Sequence, residues 1–73
     1  MILNIYILNK KSTSNGAHEV HNKNNCIHIP EMRHRELLGM FPGCREALNE
    51  AKRIHPTWNI DGCFHCSPRC HGR

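Results

Sequence analysis

The chain has 73 residues, 38% of them from the hydrophobic set that includes Cys, with one Trp, one Tyr and two Phe, so residues 1–73 are expected to form one small domain rather than a multi-domain enzyme. Ten Lys plus Arg against six Asp plus Glu give a formal net charge of +4, which permits attraction to phosphate-rich partners. The basic residues, from Lys10 and Lys11 through Arg33, Arg35, Arg45, Lys52 and Arg53 to Arg69 and Arg73, are scattered in the manner of a solvated surface.

The first predicted element is a strand. Ile2, Leu3, Ile5, Tyr6, Ile7 and Leu8 are rich in β-branched and aromatic residues, and apolar side chains on both faces predict a central position. The apolar run from Met1 to Leu8 is too short for a secretory signal and has its lysines behind it rather than ahead. Nothing in the chain is long enough to span a bilayer, so no membrane role is expected. After the polar stretch Asn9 to Gly16, Ala17-His18-Glu19-Val20-His21 reads as a second strand returning antiparallel, and Asn22-Lys23-Asn24-Asn25 is a turn by composition. Leu37, Leu38, Met40 and Phe41 suggest a short third strand, with Gly39 marking a bulge or a close backbone approach.

The helix is predicted from Cys44 to Ile54. Gly43 serves as N-cap, Glu46 stands where a capping-box acid belongs, and Ala47, Leu48, Ala51 and Ile54 recur at helical spacing. Glu46 and Glu50 lie toward the positive end of the helix dipole and Lys52, Arg53 and His55 toward the negative end, after which Pro56 discourages continuation. Trp58 either covers the core near Pro56 or offers a stacking surface.

A chain below roughly 70–80 residues seldom draws more than about 3–5 kcal/mol from its apolar core and usually adds a staple. Five Cys and seven His are the material for one. Near the carboxyl end, Cys63-Phe64-His65-Cys66 is a C-x-x-C knuckle, a spacing that turns two thiolates toward one ion while the intervening N–H groups face the sulfurs. A redox pair would instead sit at a helix start inside a thioredoxin-like βαβ arrangement, and too few residues follow here to build one.

A structural Zn2+ takes four ligands, so a second pair must come from elsewhere. Cys26, which follows the polar turn, is the strongest third ligand, and His21 is the natural fourth. Alternatives for that position are Cys70, His71 and His18, although His18 and His21 face opposite ways on a regular strand and cannot both bind. Strand alternation also counts against His21 if Val20 faces the core, unless the turn re-aims it. Cys44 reads as a small buried apolar side chain or as a thiolate activated by the helix start. His28, His34 and His65 are expected to face solvent.

The order His21-x4-Cys26, then Phe41-Pro42-Gly43-Cys44-Arg45-Glu46-Ala47-Leu48, then Gly62-Cys63-x2-Cys66 resembles the small metal-binding module at the amino end of Ada DNA-repair proteins, over residues 18–66. The resemblance implies a sheet flanked by a helix and one zinc held by His21, Cys26, Cys63 and Cys66. It also raises the Ada activity, methyl transfer from a DNA phosphotriester to a zinc-bound thiolate. The Ada module places two Cys, one residue closer together, where this chain has His21 and Cys26; exchanging a thiolate for His lowers the negative charge of the centre and makes the remaining sulfurs poorer nucleophiles.

Enzymatic constellations are otherwise missing. His18-Glu19-x-His21 lacks the spacing of a metalloprotease H-E-x-x-H, and no phosphate-cradling glycine loop or Ser/His/Asp order is present. The expectation is a small zinc-stapled α+β domain: a short antiparallel sheet of two or three strands, one main helix and the C-terminal knuckle. It is expected to bind rather than catalyse, as a monomeric protein-interaction or adaptor module, with nucleic-acid binding as the alternative and methyl acceptance as a second. An odd cysteine count would leave a thiol over in a pure disulfide framework, and Cys/His clustering suits a reducing compartment, so a cytoplasmic location is expected.

Overall fold

A computed structural model of the chain describes residues 2–72; Met1 and Arg73, both used above, lie outside the described residues. In chain order come β1 (Asn4–Asn9), β2 (Ala17–Asn22), β3 (Arg35–Phe41), α1 (Cys44–Ile54) and β4 (Asn59–Gly62). Short helical turns at Met32–His34 and Pro68–Cys70 precede β3 and close the carboxyl end. The α+β class and the single main helix agree with the sequence.

The sheet goes beyond the expected two or three antiparallel strands. Its order is β3-β1-β2-β4, with β1 antiparallel to both β2 and β3 and with β4 parallel to β2. The fourth strand, Asn-Ile-Asp-Gly, carries one apolar residue and is too short for alternation to show. Joining β2 to a parallel partner requires a long crossover, and β3 together with α1 supplies it.

As its apolar faces predict, β1 is an interior strand. Tyr6 and Leu8 join Val20, Leu38, Ile60 and the helix residues Ala47 and Ala51 in the core, with Phe41, Cys44, Leu48 and Trp58 packed around it. Two alanines at the contact let the helix backbone lie close to the sheet, whereas Ile54, predicted on the same stripe, sits exposed at its end. Ile7 is also buried, and by alternation it projects from the other face, opposite His21 on β2.

The expected bulge is present at Gly39. Tyr6 is paired with Gly39 and Ile7 with Leu37, which leaves Leu38 as the extra residue, and Gly39 has φ +126, a conformation that favours glycine. The bulge explains why Leu37-Leu38 does not alternate with Met40: Leu38 enters the core, while Leu37 and Met40 remain exposed.

The helix runs from Cys44 to Ile54 as predicted, with Gly43 extended at the N-cap and His55 ending it. Trp58 then packs against the core, with its indole between the rings of His55 (centroids 3.7 Å apart, 7° interplanar) and His18 (3.9 Å, 17°). Both indole faces are occupied, which leaves Trp58 in its core-covering role.

Gly62, the last residue of β4, makes the closest approach to neighbouring atoms of the chain's glycines. A Cβ there would stand 2.7 Å from the Cys70 carbonyl carbon and 2.8 Å from the Ser67 oxygen. Because both obstacles are backbone, Gly62→Ala is expected to lower stability by about 1–3 kcal/mol, as overpacking does. Denaturant unfolding would measure this, and an unchanged midpoint would contradict the packing of the tail on β4.

Candidate metal centre

The parallel pairing brings the ends of β2 and β4 side by side. Val20 is in register with Gly62, and the Cys63 N–H continues the ladder by donating to the Val20 carbonyl at 2.9 Å. Cys63 is thereby set next to His21. The knuckle turns back through the Ser67 N–H, which donates to the Cys63 carbonyl at 2.8 Å.

The polar turn delivers the fourth donor. Asn22 organises it: its carbonyl accepts the Cys26 N–H at 3.1 Å, and its side-chain oxygen accepts the Asn24 N–H at 3.0 Å. The turn is tied to β1 by the Lys23 N–H on the Ile5 carbonyl (2.8 Å) and by the Ile5 N–H on Asn24 Oδ1 (3.0 Å). Asparagines favour such turns because their side chains bond to nearby backbone.

His21, Cys26, Cys63 and Cys66 thus come together, with ligand atoms all within 4.8 Å of one another, in a group that could hold a metal ion. His21 Nδ1 lies 3.5 Å from Cys26 Sγ and 3.8 Å from Cys66 Sγ, and the Cys26 and Cys63 sulfurs are 3.9 Å apart. A tetrahedral ion bonded to sulfur at about 2.3 Å and to nitrogen at about 2.0–2.1 Å separates its donors by roughly 3.5–3.8 Å, and these three separations lie close to that range. The alternation that weighed against His21 is kept: it projects opposite Val20, and Cys63 and Cys66 come to meet it on that side.

Burial and hydrogen bonding act on the donors in opposite directions. The Asn22 N–H donates to Cys66 Sγ at 3.3 Å, and the N–H groups of Cys66 and His65 turn toward the Cys63 sulfur, as the knuckle spacing predicts. Burial nevertheless pushes the Cys63 and Cys66 thiols up, which disfavours thiolates without a positive charge among them. Burial, and then the nearby His28, lower the His21 pKa to about 4, so its ring is neutral at pH 7 and one nitrogen has a lone pair to offer. His21 Nε2 is buried without a hydrogen-bond partner.

The alternative ligands are engaged elsewhere. Cys70 forms a disulfide with Cys44, their Cα atoms 6.3 Å apart, which corrects both readings of Cys44 and removes Cys70 from the fourth position. The signal was arithmetic: five cysteines less three in a metal group leave one pair. His71 Nδ1 lies 3.0 Å from the Gly62 carbonyl, and His18 Nδ1 lies 3.0 Å from that of Asn9. His65 and His28 are exposed and stacked on each other, centroids 3.8 Å apart, whereas His34 is half-buried. No helix among the described residues is long and apolar enough to cross a membrane.

Comparison with protein-family models, with curated proteins and with solved structures finds no match to this chain.

Proposed function

We propose that this chain is a small zinc module in which His21, Cys26, Cys63 and Cys66 hold one structural Zn2+, and that the folded unit acts as a protein-interaction or adaptor domain. The observation that carries the reading is the convergence of one imidazole nitrogen and three sulfurs within 4.8 Å of one another. Sulfur and imidazole donors in a tetrahedral set select zinc over oxygen-seeking cations such as Mg2+ and Ca2+. Four side chains complete the coordination, and a catalytic zinc would need an open position for water. Zn2+ here supplies a cross-link: β2 with its following turn on one side, the knuckle after β4 on the other.

Ada-type methyl acceptance stands behind this reading, because a His in place of a fourth thiolate leaves the sulfurs less nucleophilic. Nucleic-acid binding is the alternative, favoured by one observation. The turn after β2 and the tail that follows β4, residues 22–30 and 62–72, contain no Asp or Glu and carry Lys23 and Arg69.

Salt dependence separates the classes. An adaptor is expected to show no binding to DNA or RNA oligonucleotides that weakens with salt. An affinity falling by orders of magnitude between about 50 and 200 mM salt, as counterion release requires, would establish the nucleic-acid reading instead. Fluorescence anisotropy with the zinc-loaded protein makes the measurement.

A further inference from the structure

Only one ring nitrogen of His21 has a role in the centre so far. Nδ1 faces the sulfurs of Cys26 and Cys66, whereas Nε2 is buried and has no hydrogen-bond partner. A neutral imidazole that offers the Nδ1 lone pair carries its proton on Nε2. The centre therefore implies a buried N–H donor that needs an acceptor.

One carboxylate is in place for it. Glu19 stands two residues before His21 on β2, hence on the same face of the sheet, and its Oε1 lies 3.9 Å from His21 Nε2. The neighbouring acid, Asp61, is in register with Glu19 on β4 but is engaged elsewhere: Oδ1 accepts the N–H groups of Gly62 (2.9 Å) and Gly72 (2.8 Å), and Oδ2 lies 3.4 Å from His71 Nδ1. Glu19 is half-buried and has the side-chain length to close the remaining ångström.

We propose that Glu19 is a positioning residue of the metal centre, its carboxylate accepting the His21 Nε2–H and so holding the tautomer and ring orientation that present Nδ1 to the ion. A metal-ligating imidazole commonly donates its other N–H to a carboxylate or carbonyl, which fixes the ring and makes it a stronger ligand. The inference rests on the zinc reading above. It adds a residue outside the four ligands that sets how tightly the metal is held.

The test compares wild type with Glu19→Gln and Glu19→Ala, each loaded with Zn2+, using chelator competition for affinity and 15N NMR of the imidazoles for the tautomer. In wild type, His21 is expected to show a metal-bound Nδ1 and a slowly exchanging Nε2–H. Glu19→Ala should weaken Zn2+ binding by roughly 10–100-fold and speed exchange of that proton. Glu19→Gln, whose amide oxygen still accepts, should keep the tautomer with a smaller loss; a general loss of packing would not divide the two variants this way. Coordination through Nε2 in wild type, or Glu19→Ala matching wild type in affinity and in the Nε2–H signal, would overturn the proposal. A wild-type chain that takes up no Zn2+ would overturn the zinc reading itself.

Discussion

With zinc held as proposed, stripping it with a chelator is expected to unfold the protein. Apparent binding free energies of structural zinc in small domains are about 10–16 kcal/mol at neutral pH, well above the about 3–5 kcal/mol that a core of this size contributes. The core has two alanines as its fully covered helix contacts, and the β2–β4 pairing depends on segments that the centre joins. Cys63→Ser should act like chelation, because Cys63 is 2% exposed and continues the ladder beside His21. Far-UV circular dichroism with and without chelator would read the loss, and a metal-free chain that still unfolds cooperatively would contradict it.

Acidification should work in the same direction. Burial lowers the His21 pKa of the metal-free fold to about 4 from 6.5, and a bound ion would oppose its protonation further, so the unfolded chain takes up a proton first. Its contribution to stability is present above about pH 6.5 and is lost progressively as the pH falls toward 4. Protonation of the three ligand thiols in the unfolded chain adds to this loss, since they must be deprotonated to bind metal.

The second large effect is expected at the disulfide. Cys44 and Cys70 are 26 positions apart, and cross-linking a loop of that length restricts the unfolded chain by about 3–4 kcal/mol in the chain-entropy picture. A Cys44→Ser/Cys70→Ser protein should keep its zinc, because none of the four donors is touched. It should melt many degrees lower, since each kcal/mol shifts Tm by about 4–8 °C in a domain this small. Loosening should concentrate in the tail that packs on Gly62. Calorimetry of the zinc-loaded variant tests this, and a Tm equal to that of wild type would show that the link adds nothing. The disulfide also weighs against the cytoplasmic location expected from the cysteine count, because glutathione keeps cytosolic thiols reduced.

Features written in local residue patterns were legible in the sequence. Gly43 and Pro56 bracket the helix because one tolerates the N-cap and the other discourages continuation, and both ends fall where these residues place them. Apolar side chains on both faces identified β1 as interior, and Gly39 identified the bulge. Three of the grouped donors followed from the knuckle spacing and from a polar turn placed directly before Cys26, whereas His21 was the preferred one of several choices for the fourth place.

Features that depend on distant partners were not legible. β4 holds one apolar residue and owes its existence to the backbone edge of β2 and to the ladder that leads into Cys63. The Cys44–Cys70 link joins a helix start to a tail turn, two places with no shared local pattern. The environment of Trp58 arises from His18 and His55, which stand on separate elements and meet only after the crossover is made.

Native mass spectrometry of the intact chain, before and after chelation, tests the central claim most directly. The folded monomer should carry one zinc ion and one disulfide, with Cys26, Cys63 and Cys66 alkylated only after the metal is removed. A folded monomer without metal, or a disulfide that joins any two of Cys26, Cys63 and Cys66, would contradict the account.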